Sequence, residues 1–158
     1  MHPIYTHIKQ SLAGIYSDSE ASALAKWILT EVFCLSTIDL YAGKDMNFST
    51  KEYAKLEDIL SRLKRYEPLQ YILGKTTFCG LPFEVAPGVL IPRPETEELV
   101  DWIISDYLEK SEVRILDIGT GSGCIPITLA RRLKNSKVTS WDVSPEALAI
   151  AERNKRLN

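Results

Sequence analysis

Glycine alternates with small polar residues at positions 119–123, the glycine loop, directly after the apolar run Val-Arg-Ile-Leu-Asp-Ile. Because Gly119, Gly121 and Gly123 have no Cβ, the backbone can turn sharply there and let a ligand approach bare peptide groups. A helical pattern follows, and the first N–H groups of a helix are free to bind acceptor atoms. The order of strand, turn and helix therefore predicts a site for a nucleoside cofactor.

The spacing of the glycines distinguishes two cofactor classes. A dinucleotide site has the pattern G-x-G-x-x-G, but here its third glycine would be Cys124 or Pro126, depending on where the pattern starts. The observed Asp-Ile-Gly-Thr-Gly-Ser-Gly instead resembles motif I of S-adenosylmethionine-dependent methyltransferases. In that class the turn holds the aminoacyl end of the cofactor, which implies this role for Gly119, Thr120, Gly121, Ser122 and Gly123.

Two carboxylates accompany the glycine loop. Asp142 closes the next predicted strand, and in the class that motif I resembles, the acid at this position holds the two ribose hydroxyls. A carboxylate suits a vicinal diol because it has two acceptor oxygens. Asp117 is predicted to orient the loop or the cofactor's ammonium, with capping of the turn as an equal alternative. The alternatives for the loop and for Asp142 are an ordinary strand-to-helix connection and an acid at a helix N-terminus.

Upstream, residues 91–97 read Ile-Pro-Arg-Pro-Glu-Thr-Glu and are called the proline segment below. Each proline fixes its own φ and restricts the residue before it, so this segment is predicted to be stiff without being a strand. It leads into a predicted amphipathic helix over residues 95–108, whose apolar stripe is Leu99, Val100, Ile103, Ile104, Tyr107 and Leu108. A rigid helix start suits a cofactor lid, and a linker with Glu95 and Thr96 as helix caps is the alternative.

Three stretches resemble one family: residues 65–74 (Arg-Tyr-Glu-Pro-Leu-Gln-Tyr-Ile-Leu-Gly), residues 87–100 and residues 116–125. They are similar to the peptide chain release factor glutamine methyltransferases, the HemK/PrmC family, and the resemblance runs from about Tyr66 to the end of the chain. It implies transfer of a methyl group from S-adenosylmethionine to the side-chain amide nitrogen of a glutamine in a release factor. It also implies a cofactor contact by Arg93, Glu95 or Thr96.

The family's catalytic Asn-Pro-Pro-Tyr segment does not occur in these residues. No catalytic residue is therefore predicted in this chain, and the segment is expected beyond Asn158. Two strands and two helices are predicted from residue 113 onward, whereas a complete crevice of this kind needs several parallel strands. We expect a fragment of a longer enzyme, inactive by itself, whose open sheet edge promotes self-association.

Apolar spacing divides the chain into three parts, and the fold class is α plus α/β. Residues 1–68 are predicted to form a bundle of three main helices, residues 69–91 a β-hairpin that turns at 79–82, and residues 92–158 the first part of a Rossmann-like methyltransferase domain. The helical stripes are Ile4, Ile8, Leu12 and Ile15; Ala21, Leu24, Ile28, Val32 and Leu35; and, after a capping box at Ser49 and Glu52, Leu56, Ile59, Leu60 and Leu63. The resemblance implies that the bundle recognises the release factor, and a folding cap is the alternative.

Composition argues against several other classes. With 19 basic and 21 acidic residues the net charge is −2, which disfavours a free nucleic-acid substrate. No apolar stretch is long enough to span a bilayer and the N-terminus lacks a secretory signal, so a cytoplasmic protein is predicted. No metal site is predicted and the thiols are predicted to be bystanders, because the spacing of these residues does not suit metal ligands: Cys34, Cys79, Cys124, His2 and His7.

Two other functions stay open. A methyltransferase that acts on adenine or another amine shares the glycine turn, although the near-neutral charge and the proline segment count against it. A non-enzymatic interaction module is the second possibility, in which the helical bundle binds a partner and the incomplete α/β part stabilises it.

Overall fold

A computed structural model describes residues 3–42, 48–110 and 112–158. The chain separates into two compact units, Met1–Ile72 and Leu73–Asn158. Helices make up the first unit, and strands alternate with helices in most of the second. The predicted domain boundaries at residues 68 and 91 stay predictions. Residue His2, named above as a candidate ligand, lies outside the described residues.

The first unit is helical, as predicted. α1 packs on both α2 and α4, and the buried side chains of these three helices recur every three or four residues, as an amphipathic helix requires. The helices are α1 (Pro3–Leu12), α2 (Asp18–Glu31), α3 (Thr37–Ala42), α4 (Thr50–Leu63) and α5 (Leu69–Leu73), the last of which ends at the boundary with the second unit.

Capping boxes begin the two longest helices of this unit. The predicted box is present at the start of α4, where the Ser49 side chain accepts a hydrogen bond from the Glu52 N–H and the Glu52 side chain accepts one from the Ser49 N–H. An equivalent box at Ser17 and Glu20 begins α2. Each box satisfies N–H groups that the first helical turn leaves without partners.

Two of the predicted helical stripes run past the ends of their helices. Ile15 lies beyond α1 because Gly14 takes a left-handed φ of 80°. Leu35 lies beyond α2, where Cys34 has a φ of 55° and reverses the chain. The reversal brings the Leu35 N–H within 3.0 Å of the Leu29 carbonyl oxygen, so Leu35 is buried without being helical.

The predicted hairpin is present in the second unit. Strands β1 (Lys75–Phe78) and β2 (Leu81–Glu84) are antiparallel, and only Cys79 and Gly80 lie between them. Both have positive φ, 48° and 77°, as a type I′ turn requires. The turn is therefore shorter than the predicted 79–82.

The hairpin packs into the core of the second unit. Phe78 and Phe83 are fully buried and meet edge to face, with ring centroids 6.1 Å apart. The cluster around them also contains Val100, Cys124, Leu129 and Leu133. The hairpin thus shares one core with the helices that surround the candidate site.

The helix after the proline segment, α6 (Pro94–Tyr107), agrees with the prediction in position but not in its buried face. Val100 is fully buried and Ile103 and Ile104 are partly buried, whereas Leu99, Tyr107 and Leu108 of the predicted stripe are exposed. The buried face is narrower than the stripe because α6 packs mainly against one partner, α7.

The remainder of the unit alternates strand and helix, which confirms the predicted first part of a doubly wound domain. The two strands pair in parallel, with Val113 opposite Ser136 and Ile118 opposite Trp141. The elements are β3 (Val113–Ile118), α7 (Cys124–Arg132), β4 (Ser136–Trp141) and α8 (Pro145–Leu157). α7 packs against both strands, and α8 packs against α7 and β2.

The β3–β4 sheet has one covered face. Ile115, on the covered side, packs against the core cluster. On the opposite face Leu116, Ile118 and Trp141 are 51%, 73% and 58% exposed. Parallel sheets normally have both faces covered, so these three apolar side chains lie on a face that such a sheet usually buries. Self-association through the sheet edge stays a prediction.

Candidate functional site

The glycine loop leaves β3 bonded to the end of β4. The N–H groups of Gly119 and Thr120 both donate to the Trp141 carbonyl, at 2.8 and 3.0 Å. Gly119 and Gly121 have φ of 80° and 55°, a region that costs other residues about 1–2 kcal/mol. A Cβ added at either position would meet no atom within 4 Å. These two glycines therefore present bare backbone to open space, as a closely bound ligand requires.

Gly123 lacks a side chain for a different reason. A Cβ there would lie 3.0 Å from Ile127 Cδ1 and 3.1 Å from Ala151 Cβ. Gly123 is the N-cap of α7, with a φ of 78°. The side of its Cα from which a Cβ would project faces α8. The third glycine thus allows helix α8 to pack against the loop, while the first two leave room for a ligand.

Asp142 follows β4 and is hydrogen-bonded to the glycine loop. Its Oδ2 accepts from the Gly121 N–H at 2.8 Å, and its Oδ1 accepts from the Ser144 N–H at 2.9 Å. The hydrogen bonds from Ser144 and then Gly121 lower the pKa of this carboxyl below its usual value, so it is ionised at neutral pH. Because each carboxylate oxygen can accept more than one hydrogen bond, both oxygens can also bind hydroxyl groups of a ligand.

Two buried polar atoms beside the loop have no hydrogen-bond partner among the residues that the structure describes. They are Oδ2 of Asp117, near the end of β3, and Oγ1 of Thr120, a residue that is 6% exposed. Buried polar atoms are normally paired, so an unpaired carboxylate oxygen and hydroxyl can serve a polar ligand. Together with the open space at Gly119 and Gly121, they fit a ligand that carries an ammonium group.

The proline segment contributes less to this geometry. Arg93 is the N-cap of α6, in extended conformation and without a side-chain capping bond. Glu95 is exposed and Thr96 is partly buried. Across the described part of the chain, none of the three forms a hydrogen bond or ion pair with the glycine loop. The cofactor contact expected of Arg93, Glu95 or Thr96 stays a prediction.

Sequence reasoning missed one contact of the proline segment. A Glu97 carboxylate oxygen accepts a hydrogen bond from the Cys79 N–H at 2.7 Å. Arg132, at the end of α7, donates to the Cys79 carbonyl at 3.1 Å. The hairpin turn is therefore held from α6 and from α7. The acid at residue 97 could have been suspected as a structural group, but its partner, 18 residues away, has no sequence signal.

The thiols near the site are protonated at neutral pH. Burial, followed by the nearby Glu97 carboxylate, raises the pKa of Cys79 to about 11. Burial also raises the pKa of Cys124, which begins α7. A thiol in this state is a poor nucleophile, in keeping with the predicted bystander role.

Clusters of metal-binding side chains are absent from the described ranges: no three His, Cys, Asp or Glu groups come together there in a metal-binding arrangement. His7 instead forms a hydrogen bond with Glu57 at 2.9 Å, a partner 50 residues away. Within the same described residues, every helix is too short or too polar to cross a bilayer.

The N-terminal and the C-terminal parts of the chain each match a known protein family. Residues 4–74 match the family described as PrmC N-terminal domain, and residues 115–158 match the family described as methyltransferase domain. Among curated proteins, the release factor glutamine methyltransferase of Bacteroides thetaiotaomicron is 49% identical over 154 residues, which is 98% of this chain and 55% of that protein.

Further relatives agree. The release factor glutamine methyltransferase of Flavobacterium psychrophilum is 46% identical over 97% of this chain and 55% of its own length, and that of Geobacter sulfurreducens is 41% identical over 82% and 45%. The chain spans about half the length of these relatives. Over that span, this chain belongs to the release factor glutamine methyltransferase family.

Proposed function

We propose that residues 73–158 bind S-adenosylmethionine, and that the protein methylates the side-chain amide nitrogen of a glutamine in a peptide chain release factor. The observation that carries the cofactor proposal is the glycine loop, where Gly119 and Gly121 border open space next to Asp142. The substrate proposal rests on the name shared by the relatives.

Each group at the site receives a proposed role. Residues 119–123 hold the aminoacyl end of the cofactor, and Asp142 accepts hydrogen bonds from the ribose hydroxyls. The unpaired Oδ2 of Asp117 accepts from the cofactor's ammonium. Arg93, Glu95 and Thr96 contact the cofactor from the start of α6. When bound, the cofactor supplies an electrophilic methyl group on its sulfonium.

Amide nitrogen is a poor nucleophile because its lone pair is delocalised into the carbonyl. Methylation therefore depends on holding the amide and aiming its nitrogen at the methyl carbon, which is catalysis by positioning and electrostatics. The Asn-Pro-Pro-Tyr segment expected to hold the amide does not occur in these 158 residues. We assign cofactor binding to the residues present and the catalytic residues to the part of the relatives that this chain does not span.

The first unit is proposed to help hold the release factor, since residues 4–74 match the N-terminal domain of the same family. A cytoplasmic location follows from this partner. Neither assignment depends on the geometry of the glycine loop, so each needs a test of its own.

The first test is calorimetric titration of S-adenosylhomocysteine into this chain and into an extended chain, continued to the full length of the relatives. We expect binding by the extended chain and a loss of at least tenfold in affinity with Asp142→Ala. Glu146→Ala is the matched control, because Glu146 lies in the first turn of α8 and bonds to Ser144 rather than to the loop. No binding by a folded extended chain would refute the cofactor proposal.

A second test addresses the methyl acceptor. The extended chain is given labelled S-adenosylmethionine with a release factor, an adenine-containing DNA duplex, or both. We expect label in the release factor alone, with no competition by DNA. Transfer to DNA would replace the proposal by the amine methyltransferase alternative, and binding of the release factor without transfer would favour the interaction module.

A further inference from the structure

The side chain of Asn154, on the inner face of α8, is completely buried. A buried amide is costly unless its polar atoms are paired, so its partners reveal what it is placed to hold. Oδ1 accepts from the Glu84 N–H at 2.6 Å. Nδ2 donates to the Glu84 carbonyl and to the Ser122 carbonyl, at 2.9 Å each. Both N–H groups of the amide are therefore used.

On the side of the hairpin, the Asn154 amide accepts one hydrogen bond from Glu84 and donates one to it, as a backbone peptide of a neighbouring strand would. Glu84 lies opposite Lys75 in the β1–β2 pair, yet its N–H and carbonyl both bond to Asn154. Its backbone polar groups therefore point away from β1, toward α8. The orientation of the amide is set by this pattern, because a reversed amide would place a donor against an N–H and an acceptor against two carbonyls.

Toward the glycine loop, Asn154 completes a set of three contacts to consecutive residues. Asp142 binds the Gly121 N–H, Asn154 binds the Ser122 carbonyl, and Ala151 packs against the Cα of Gly123. All three come from α8 or the turn before it. The second half of the loop is therefore held by α8 and the turn before it.

The direction of the Ser122 carbonyl defines the orientation of the Ser122–Gly123 peptide in the loop. The next N–H, that of Gly123, donates to the Thr120 carbonyl at 2.9 Å. Glycine-rich backbone rotates easily, and a rotated Ser122–Gly123 peptide would break this turn and redirect the carbonyl. The Asn154 amide opposes that rotation by holding the carbonyl oxygen inside the protein, where Ser122 is only 2% exposed.

We propose that Asn154 is a positioning residue for cofactor binding: it fixes the Ser122–Gly123 peptide of the glycine loop and ties the loop to hairpin strand β2. The role in binding rests on the proposed function, whereas the role in fixing the loop does not.

The test uses Asn154→Ala and Asn154→Asp in the extended chain. Alanine removes all three bonds, and aspartate keeps the acceptor for Glu84 but replaces the donor with an oxygen that faces two carbonyls. Two readouts are taken: exchange of the loop amide protons without cofactor, and affinity for S-adenosylhomocysteine. We expect exchange at Gly121 and Gly123 to become at least tenfold faster, and affinity to fall at least tenfold, in both variants.

Two control variants separate positioning from loss of stability. Arg153→Ala removes a side chain that binds the Glu84 carboxylate at 2.7 Å from the neighbouring position, without touching the loop. Leu133→Ala destabilises the core at the far end of α7. We expect both controls to leave loop exchange and affinity within about twofold of the parent, once exchange is compared at equal overall stability.

The outcomes are distinct. Unchanged loop exchange in a folded Asn154 variant overturns the proposal, and faster exchange with unchanged affinity overturns its role in binding. If the parent itself does not bind the nucleoside, the proposed function fails while the exchange data still decide whether Asn154 fixes the loop.

Should neither variant fold, the parent chain provides the answer. The Nδ2 protons of Asn154 should then exchange at least a hundredfold more slowly than those of the exposed Asn135. Equal rates would overturn the proposal.

Discussion

The glycine loop and the proline segment are proposed to contact the same cofactor, but they acquire their shapes differently. The loop is held by residues that follow it by about 20 to 30 positions, Asp142, Ala151 and Asn154. The proline segment has Pro92 and Pro94, and Arg93 between them is extended, as a residue before proline should be. One conformation depends on tertiary contacts and the other on covalent geometry.

The reason lies in backbone entropy. Glycine has the largest conformational freedom to lose on folding, so a loop with three glycines is ordered only if other elements hold it. Proline has little freedom to lose and needs few contacts. We therefore expect substitutions in and around the loop to have large effects, and substitutions in the proline segment to have small ones.

The largest effect is expected for Gly123→Ala. The new Cβ would meet Ala151 Cβ at 3.1 Å in a residue whose φ is 78°, which combines backbone strain of about 1–2 kcal/mol with overpacking of about 1–3 kcal/mol. We expect urea unfolding to show a loss of about 2–5 kcal/mol. Gly123→Ala should cost less in an Ala151→Gly background than in the parent, since only the part of the overpacking due to the Ala151 Cβ is relieved while Ile127 Cδ1, at 3.0 Å, still meets the new Cβ. An equal cost in both backgrounds would contradict packing against α8.

Gly119→Ala should cost less. This residue has nearly the same φ, 80°, but a Cβ there meets nothing within 4 Å. Only the backbone strain of about 1–2 kcal/mol is expected. Urea unfolding of the two alanine variants, measured side by side, compares a glycine that makes room for a helix with one that makes room for a ligand. Equal losses would mean that the contact with α8 is unimportant.

Pro94→Ala should have a smaller effect still. Pro94 occupies the first position of α6, where its missing N–H has no helical partner. Its contribution to stability is the reduced freedom of the unfolded chain, about 0.4–1 kcal/mol. Urea unfolding should detect this loss, while amide exchange in the glycine loop should not change. Faster exchange in the loop would show that the two regions are coupled.

Lowering the pH through the titration of Asp142 should release the loop. The pKa of Asp142 is lower in the folded protein than in the unfolded chain, where it is about 3.9. Its contribution to stability is therefore present above that value and disappears as the pH falls through the lower, folded pKa. Exchange at Gly121, corrected for the intrinsic pH dependence, should accelerate below about pH 4. With Asp142→Asn this acceleration should be absent.

Local sequence patterns predicted much of the fold. The run of strand, glycine loop, helix and strand over residues 113–141 is confirmed, as are the hairpin and the capping box at Ser49 and Glu52. Each depends on residues within one short stretch: alternation or apolar runs in strands, stripes in helices, and turn residues between them. Such features are determined by the residues that form them.

The errors and omissions have a common cause. The apolar stripe predicted on α6 includes Leu99 and Leu108, but both are exposed, because α6 packs mainly against α7. The Glu97 bond to Cys79 was not foreseen, and neither was the burial of Asn154. Amphipathic spacing identifies a face that could be buried, but not which element covers it.

The sequence by itself determined the family and the order of the main helices and strands, with the glycine loop directly after β3, because these depend on neighbouring residues. Only the tertiary structure decided how the glycine loop is held: Gly121 by Asp142, Ser122 by Asn154 and Gly123 against Ala151. Three glycines permit many backbone conformations, and the sequence near them contains nothing that selects one. Selection requires hydrogen bonds and packing from a helix that begins more than 20 residues later, and that proximity exists only after folding.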